Sequence, residues 1–237
     1  MDRFAPLVAR GLNVVAVLPL ADLLDLAPSL SHPDFHRLVL VGSTGSAMWT
    51  SIERRGFADV DHPVDAHAAD AVAAWRRSLE VHSDVVWPRP STDTDSEAAP
   101  ALPVMKLGER AGWGRRSPLG IGMHPRHGLW VGYRAVVRVA GTWPVLREPP
   151  AVHACDSCPD TPCVTRCPVS AIGRGKGILA TPCFEERLRP GADCSRRCVS
   201  RLSCPVAPAS RYPDAQVAHH QAFGNVIYHR WAATRVV

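Results

Sequence analysis

The sequence predicts an α+β protein built from two unlike parts, and three observations predict it. Short apolar runs alternate with amphipathic stretches through the first 140 residues or so, the pattern of a mixed sheet-and-helix fold. All eight cysteines lie between positions 155 and 204. Between these parts runs a proline-rich connector, TWPVLREPPAVHA, which places a boundary near 148–150 and so domains at 1–148 and 149–237. At 237 residues and 46% hydrophobic, the chain is long enough to bury a core in either part.

Taken in order, the N-terminus reads as a short helix ended by Gly11, then a buried strand, NVVAVLPL. A second apolar strand, RLVLVGS, runs into the helical AMWTSIERRG. GSTGS at 42–46 joins the two and lacks both the lysine of a P-loop and the third glycine of a dinucleotide fingerprint, so it reads as a strand-to-helix turn. Pro63 and Asp65 open an amphipathic helix, AHAADAVAAWRRSLE, with Val72 and Leu79 on its apolar face. SDVVWPRP at 83–90 reads as a strand, STDTDSEAAP as a polar loop, and PVMKLGERAG as a short helix ended by Gly112. PLGIGM and GLWVGYRAVVRV read as two strands joined by the turn HPRH. The tail, RYPDAQVAHHQAFGNVIYHRWA, suits a closing helix; its His219, His220 and His229 lack cysteine or carboxylate partners at metal-site spacing and read as helix-surface groups.

Composition narrows the function classes. No stretch approaches the ~20 apolar residues of a membrane span. A signal peptide is disfavoured, because Arg10 interrupts the N-terminal apolar run, Asp22 and Asp25 close it, and no small-residue cleavage site follows. A cytoplasmic protein is the expectation, and in a reducing compartment dense cysteines point to metal rather than disulfides. Lys106 and Lys176 are the only lysines, and the arginines are scattered rather than clustered, as a compositional bias would leave them.

The cysteine spacing is C-x2-C-x4-C-x3-C-P, then, from Cys183, C-x10-C-x3-C-x5-C-P. Structural zinc uses two C-x2-C knuckles, and only one exists here. Iron–sulfur ligation uses three closely spaced cysteines around one cuboidal cluster and a further one before proline, and both runs end in Cys-Pro. Two 4Fe–4S clusters are therefore expected, ahead of zinc or disulfides. In two-cluster ferredoxins the cysteine before proline serves the other cluster. That rule assigns Cys155, Cys158, Cys163 and Cys204 to one cluster, and Cys167, Cys183, Cys194 and Cys198 to the second. The first run carries two more residues than C-x2-C-x2-C, so its loop near Asp160 and Thr161 must bulge. With thiolates and oxidised clusters counted, the formal +5 falls to about +1, which leaves little bulk attraction for nucleic acid, although a local basic face stays open.

The segment ERAGWGRRSPLGIGMHPRHGLWVGYRAVV at 109–137, followed by the connector and this cysteine order, resembles epoxyqueuosine reductases over roughly 109–205. The tail RYPDAQVAHH is similar to that of short bacterial ferredoxin-like proteins with two 4Fe–4S clusters. The resemblance implies a nitroreductase-like (cobalamin-reductase type) α/β domain followed by a ferredoxin-like two-cluster domain and a closing C-terminal helix. It implies an oxidoreductase in which single electrons pass through the clusters to a cobalamin or a substrate. Carried over by position, Gly112, Trp113, Gly114, Arg115 and Ser117 would lie against corrinoid or substrate, and Asp95, in the letters Asp95-Ser96, would be the acidic proton donor. Implied partners are an electron donor such as a ferredoxin or flavodoxin and a small-molecule or modified-nucleoside substrate, with no membrane. The alternative is a non-catalytic electron-transfer ferredoxin or a corrinoid-handling protein.

Overall fold

The run RLVLVGST forms a strand with nearly every residue buried, because both of its faces are covered. In the computed structural model, which describes residues 3–57, 59–87, 102–173 and 177–233, this strand, β2 (Arg37–Thr44), lies inside a four-stranded antiparallel sheet. Its neighbours are β1 (Val14–Pro19) and β4 (Val131–Val139), and β3 (Ser83–Val86) flanks β4, giving the order β1-β2-β4-β3. Alternation sorts the side chains. Val39, Val41, Val137 and Val139 pack with Leu7 of α1 (Ala5–Val8), Met48 and Ile52 of α2 (Ala47–Arg54), and Val72 and Trp75 of α3 (Pro63–Arg77). Leu38, Leu40 and Val136 face the other way, against Leu23, Leu30, Leu107 of α4 (Val104–Arg110) and Trp113. Gly11 is required where it stands: its φ is +76° and a Cβ there would lie 2.2 Å from the Met48 nitrogen.

The β2–β4 pairing shifts register after Val41, which faces Ala135, while Gly42 faces Tyr133. Arg134 is the extra residue of this bulge, and its side chain folds back over Gly132.

Two expected strands differ. PLGIGM is not a strand: Gly120 turns at φ +74° and donates its N–H to Ser117 O, and only isolated bridges, Arg116 with Gly122 and His124 with Gly128, tie the segment down. The pairing partner that a strand would need is already taken, since β4 has β2 and β3 on its two edges. The strand expected over 83–90 is regular from Ser83 to Val86, and its last residues, like the loop 91–100, lie outside the described residues.

Beyond the connector the regular elements are short: α5 (Pro162–Thr165), the hairpin β5 (Ile172–Gly173) and β6 (Gly177–Ile178), α6 (Ala180–Leu188) and α7 (Val199–Leu202). The long α8 (Asp214–Ala233) follows. This segment is not separate from the sheet-bearing part. Leu119, Met123 and Leu129 share one apolar cluster with Ile172, Val206 and Cys204. Arg201 donates to Leu129 O at 2.7 Å, and Arg115 pairs with Asp156. Among the described residues no helix is long and apolar enough to cross a membrane.

Candidate functional site

None of the eight cysteines is in a disulfide, and the chain draws them into two sets of four. The thiol of Cys155 is pushed up to about 11, first by burial and then by Cys163, Cys204 and Cys158. Burial likewise raises Cys163 and Cys204, and each of them is raised further by Cys158. In the other set burial pushes Cys183 up to about 11, opposed by the Arg187 guanidinium and reinforced by Cys198, Cys167 and Cys194. Cys194 is raised by burial and then by Cys198 and Cys167. The grouping crosses the sequence order: Cys167 sits with the later thiols and Cys204 with the earlier ones.

Local backbone chemistry explains the placement. Thr161 takes a left-handed conformation, φ +39°, so the two extra residues bulge outward and Pro162 starts α5, which carries Cys163. After each Cys-Pro the same turn recurs: Cys167-Pro-Val-Ser and Cys204-Pro-Val-Ala both end on a left-handed residue, Ser170 and Ala207, each at φ +50°. The repeated Cys-Pro-Val was readable in the sequence, and only its Cys-Pro part attracts notice there. Cys198 caps α7 by accepting the Arg201 N–H at 3.4 Å, and Cys167 accepts the Ala171 N–H at 3.3 Å. Backbone N–H groups of Val199 and Val206 point at Cys194 and Cys204. Such donors favour the thiolate form that a metal needs.

The first set lines a small apolar pocket whose other walls include Leu119, Met123, Leu129 and Val206. The first three come from the segment before the connector, and no motif announced them. The second set is pinned by α8, where the Gln221 amide donates to Cys194 O and the Asn225 amide donates to Ser195 O at 2.8 Å. Arg187 of α6 reaches the same helix through Asn225 Oδ1 at 3.0 Å. Among the described residues no group of three or more His, Cys, Asp or Glu side chains is close enough to hold a single metal ion. The two thiol sets are therefore looser than the ~2.3 Å zinc–sulfur shell demands. Their chemistry, four sulfurs each with backbone N–H donors, fits a 4Fe–4S cluster.

At the turn over 112–117 the chain packs on itself. Gly112 and Gly114 have φ of +77° and +76°, but what approaches them is the chain itself: a Cβ would lie 2.4 Å from Glu148 O and 1.9 Å from Met123 O. Trp113 is 1% exposed and packs against Gly42, His124 and Tyr133. Ser117 is buried, with its hydroxyl on Ile121 O, and Arg115 is exposed and paired with Asp156. In this conformation the two glycines face the chain's own carbonyls and the indole is covered. Asp95 lies outside the described residues.

No family model matches the chain, and no curated protein matches it. Among solved structures it is similar to an epoxyqueuosine reductase in complex with an epoxyqueuosine-modified tRNA-Tyr stem loop, at 14% identity and a TM-score of 0.49, over 90% of this chain and 66% of that one. It is similar to a reductive dehalogenase whose structure suggests B12-dependent dehalogenation, at 14% identity and a TM-score of 0.48, over 94% and 33%. A C. elegans B12-trafficking protein gives 13% identity and a TM-score of 0.43, over 59% and 68%. The chain thus spans about two thirds of the reductase and a third of the dehalogenase. These are likenesses of a mixed α/β fold at low identity.

Proposed function

We propose that the chain is an iron–sulfur redox protein that relays single electrons through two 4Fe–4S clusters to a cofactor or substrate held by its N-terminal part, residues 1–148. The observation that carries this reading is the grouping of the eight cysteines into two quartets. Bound there, the clusters would supply one-electron chemistry at low potential. The chain's own contributions are distinct. Cys155, Cys158, Cys163 and Cys204 would hold one cluster against the apolar wall of Leu119, Met123 and Leu129, where a low dielectric shifts its potential. Cys167, Cys183, Cys194 and Cys198 would hold the other, with the Arg187 guanidinium favouring negative charge on Cys183. The raised thiols mean that assembly must release protons, so loading is slower in acid.

A second reading is a corrinoid-handling protein or a non-catalytic electron carrier, and the packing of the 112–117 turn against its own backbone favours the carrier. Anaerobic purification tests the first claim. A brown protein with about eight irons per chain is expected, and colourless protein loaded with zinc would falsify it. Adding cobalamin then separates the readings: an unchanged cobalamin spectrum leaves the carrier, and a shifted one identifies a corrinoid protein.

A further inference from the structure

Outside the cysteines, several buried polar groups gather under α8 beside the β2–β4 bulge. Gln216 is 0% exposed, and neither its Nε2 nor its Oε1 has a hydrogen-bond partner. His219 and His220 follow it at i+3 and i+4, so the three share a helix face. That face meets Arg134, whose charge is the largest influence after burial on both histidines, lowering His219 and taking His220 down to about 3. Arg134 itself is fixed by Nε donating to Ser43 Oγ at 2.9 Å and by a hydrogen bond to the Tyr212 hydroxyl.

A continuous set of rings encloses the place. Trp49 lies 5.2 Å from His219, His220 lies 5.6 Å from Tyr212, and Trp130 lies 5.5 Å from Tyr212. Arg201 stacks over Trp130 and Tyr212 at 4.5 and 5.2 Å. Buried atoms without partners recur around it: Trp49 Nε1, Trp130 Nε1, Arg201 Nε and His220 Nε2. Such groups are costly when left unpaired, and native proteins match them with water or an ion.

The donors outnumber the acceptors. Indole nitrogens and guanidinium groups only donate, and two arginines bring positive charge that Asp65 offsets only in part. Neutral imidazoles add no competing charge, and each can donate one hydrogen bond. A carboxylate would use two oxygens in one plane, whereas these groups come from the sheet, the cysteine segment and α8, that is, from several directions. We infer that this place is a binding site for a phosphate-class oxyanion, held by Arg134 and Gln216 with the surrounding N–H donors and covered by α8. The bulge gives the site its key side chain, since it frees Arg134 from the regular alternation of β4. The site is distinct from the thiol sets, and Arg201 links it to the second of them through its backbone N–H on Cys198 Sγ.

The test uses the full chain as isolated anaerobically. Its melting temperature is followed while inorganic phosphate replaces chloride at constant ionic strength. A saturable rise is expected. In Arg134→Gln the half-saturating concentration should increase about tenfold or more, as loss of a charge-assisted hydrogen bond requires. Gln216→Leu guards against a misfolded arginine variant: it should keep the fold and lose most of the phosphate response. A parallel series with ribose 5-phosphate identifies the source, because tighter binding than free phosphate marks the end group of a larger ligand. No phosphate-specific rise, or a rise of equal size in both variants, overturns the inference and leaves a buried water network as the explanation.

Discussion

At the residue scale, two features make sharp demands. Gly114 combines φ +76° with contact distances that admit no Cβ, the nearest atom being Met123 O at 1.9 Å. Gly114→Ala should therefore lower unfolding stability by about 2 kcal/mol or more, read as a lower urea midpoint at unchanged slope. The same glycine was legible in the sequence as one that must let something approach; the approaching partner was not, because a ligand and the protein's own carbonyl ask the same of a glycine. Histidine sets the acid limit. His124 is pushed down to about 3, first by burial and then by His127 and Arg126, and His220 is pushed down to about 3, first by burial and then by Arg134. Both are neutral when folded and titrate near 6.5 when unfolded. Their contribution to stability is thus whole above about 6.5 and is lost as pH falls toward about 3. Urea midpoints measured down this range should fall steadily, and His124→Leu should flatten the fall.

At the scale of elements, the sheet strands and the helices at 47–54, 63–77, 104–110 and 214–233 were legible, because their apolar periods agree with their local signals. PLGIGM was not, since its apolar letters serve a wall rather than a strand: Leu119 and Met123 are 5% and 3% exposed, and the glycines turn the backbone between them. Periodicity reports burial and is silent about which neighbour does the burying. The helix α8 shows this again. Its Gln221 and Asn225 act as ties to the backbone at Cys194 and Ser195, and a helical wheel reads them only as polar. Gln221→Leu should loosen that backbone. Alkylation of Cys194 in metal-free protein, followed by peptide mass mapping, should quicken several-fold relative to Cys155, which α8 does not tie.

At the scale of the whole molecule, the thiol grouping yields a prediction that sequence proximity would get wrong. Cys167→Ser should spare the set begun by Cys155 and empty its own, taking iron from about eight to about four per chain. Cys204→Ser should remove the other four, although its nearest cysteine in sequence is Cys198. Spectra of the two variants should therefore be complementary, and variants that each lose all iron would show that the sets are not independent. The candidate site was legible here because cysteine chemistry is sparse and spacing restricts it; the oxyanion site was not, because a bulge in β4 and a distant helix create it together. The crossing of the two sets also orders events in time. As the chain leaves the ribosome, Cys155, Cys158 and Cys163 appear first but wait some forty residues for Cys204. The set containing Cys167 is complete at Cys198, before that wait ends. The set that begins first is thus completed last: any chain length between Cys198 and Cys204 has all four thiols of the set containing Cys167 and three of the other.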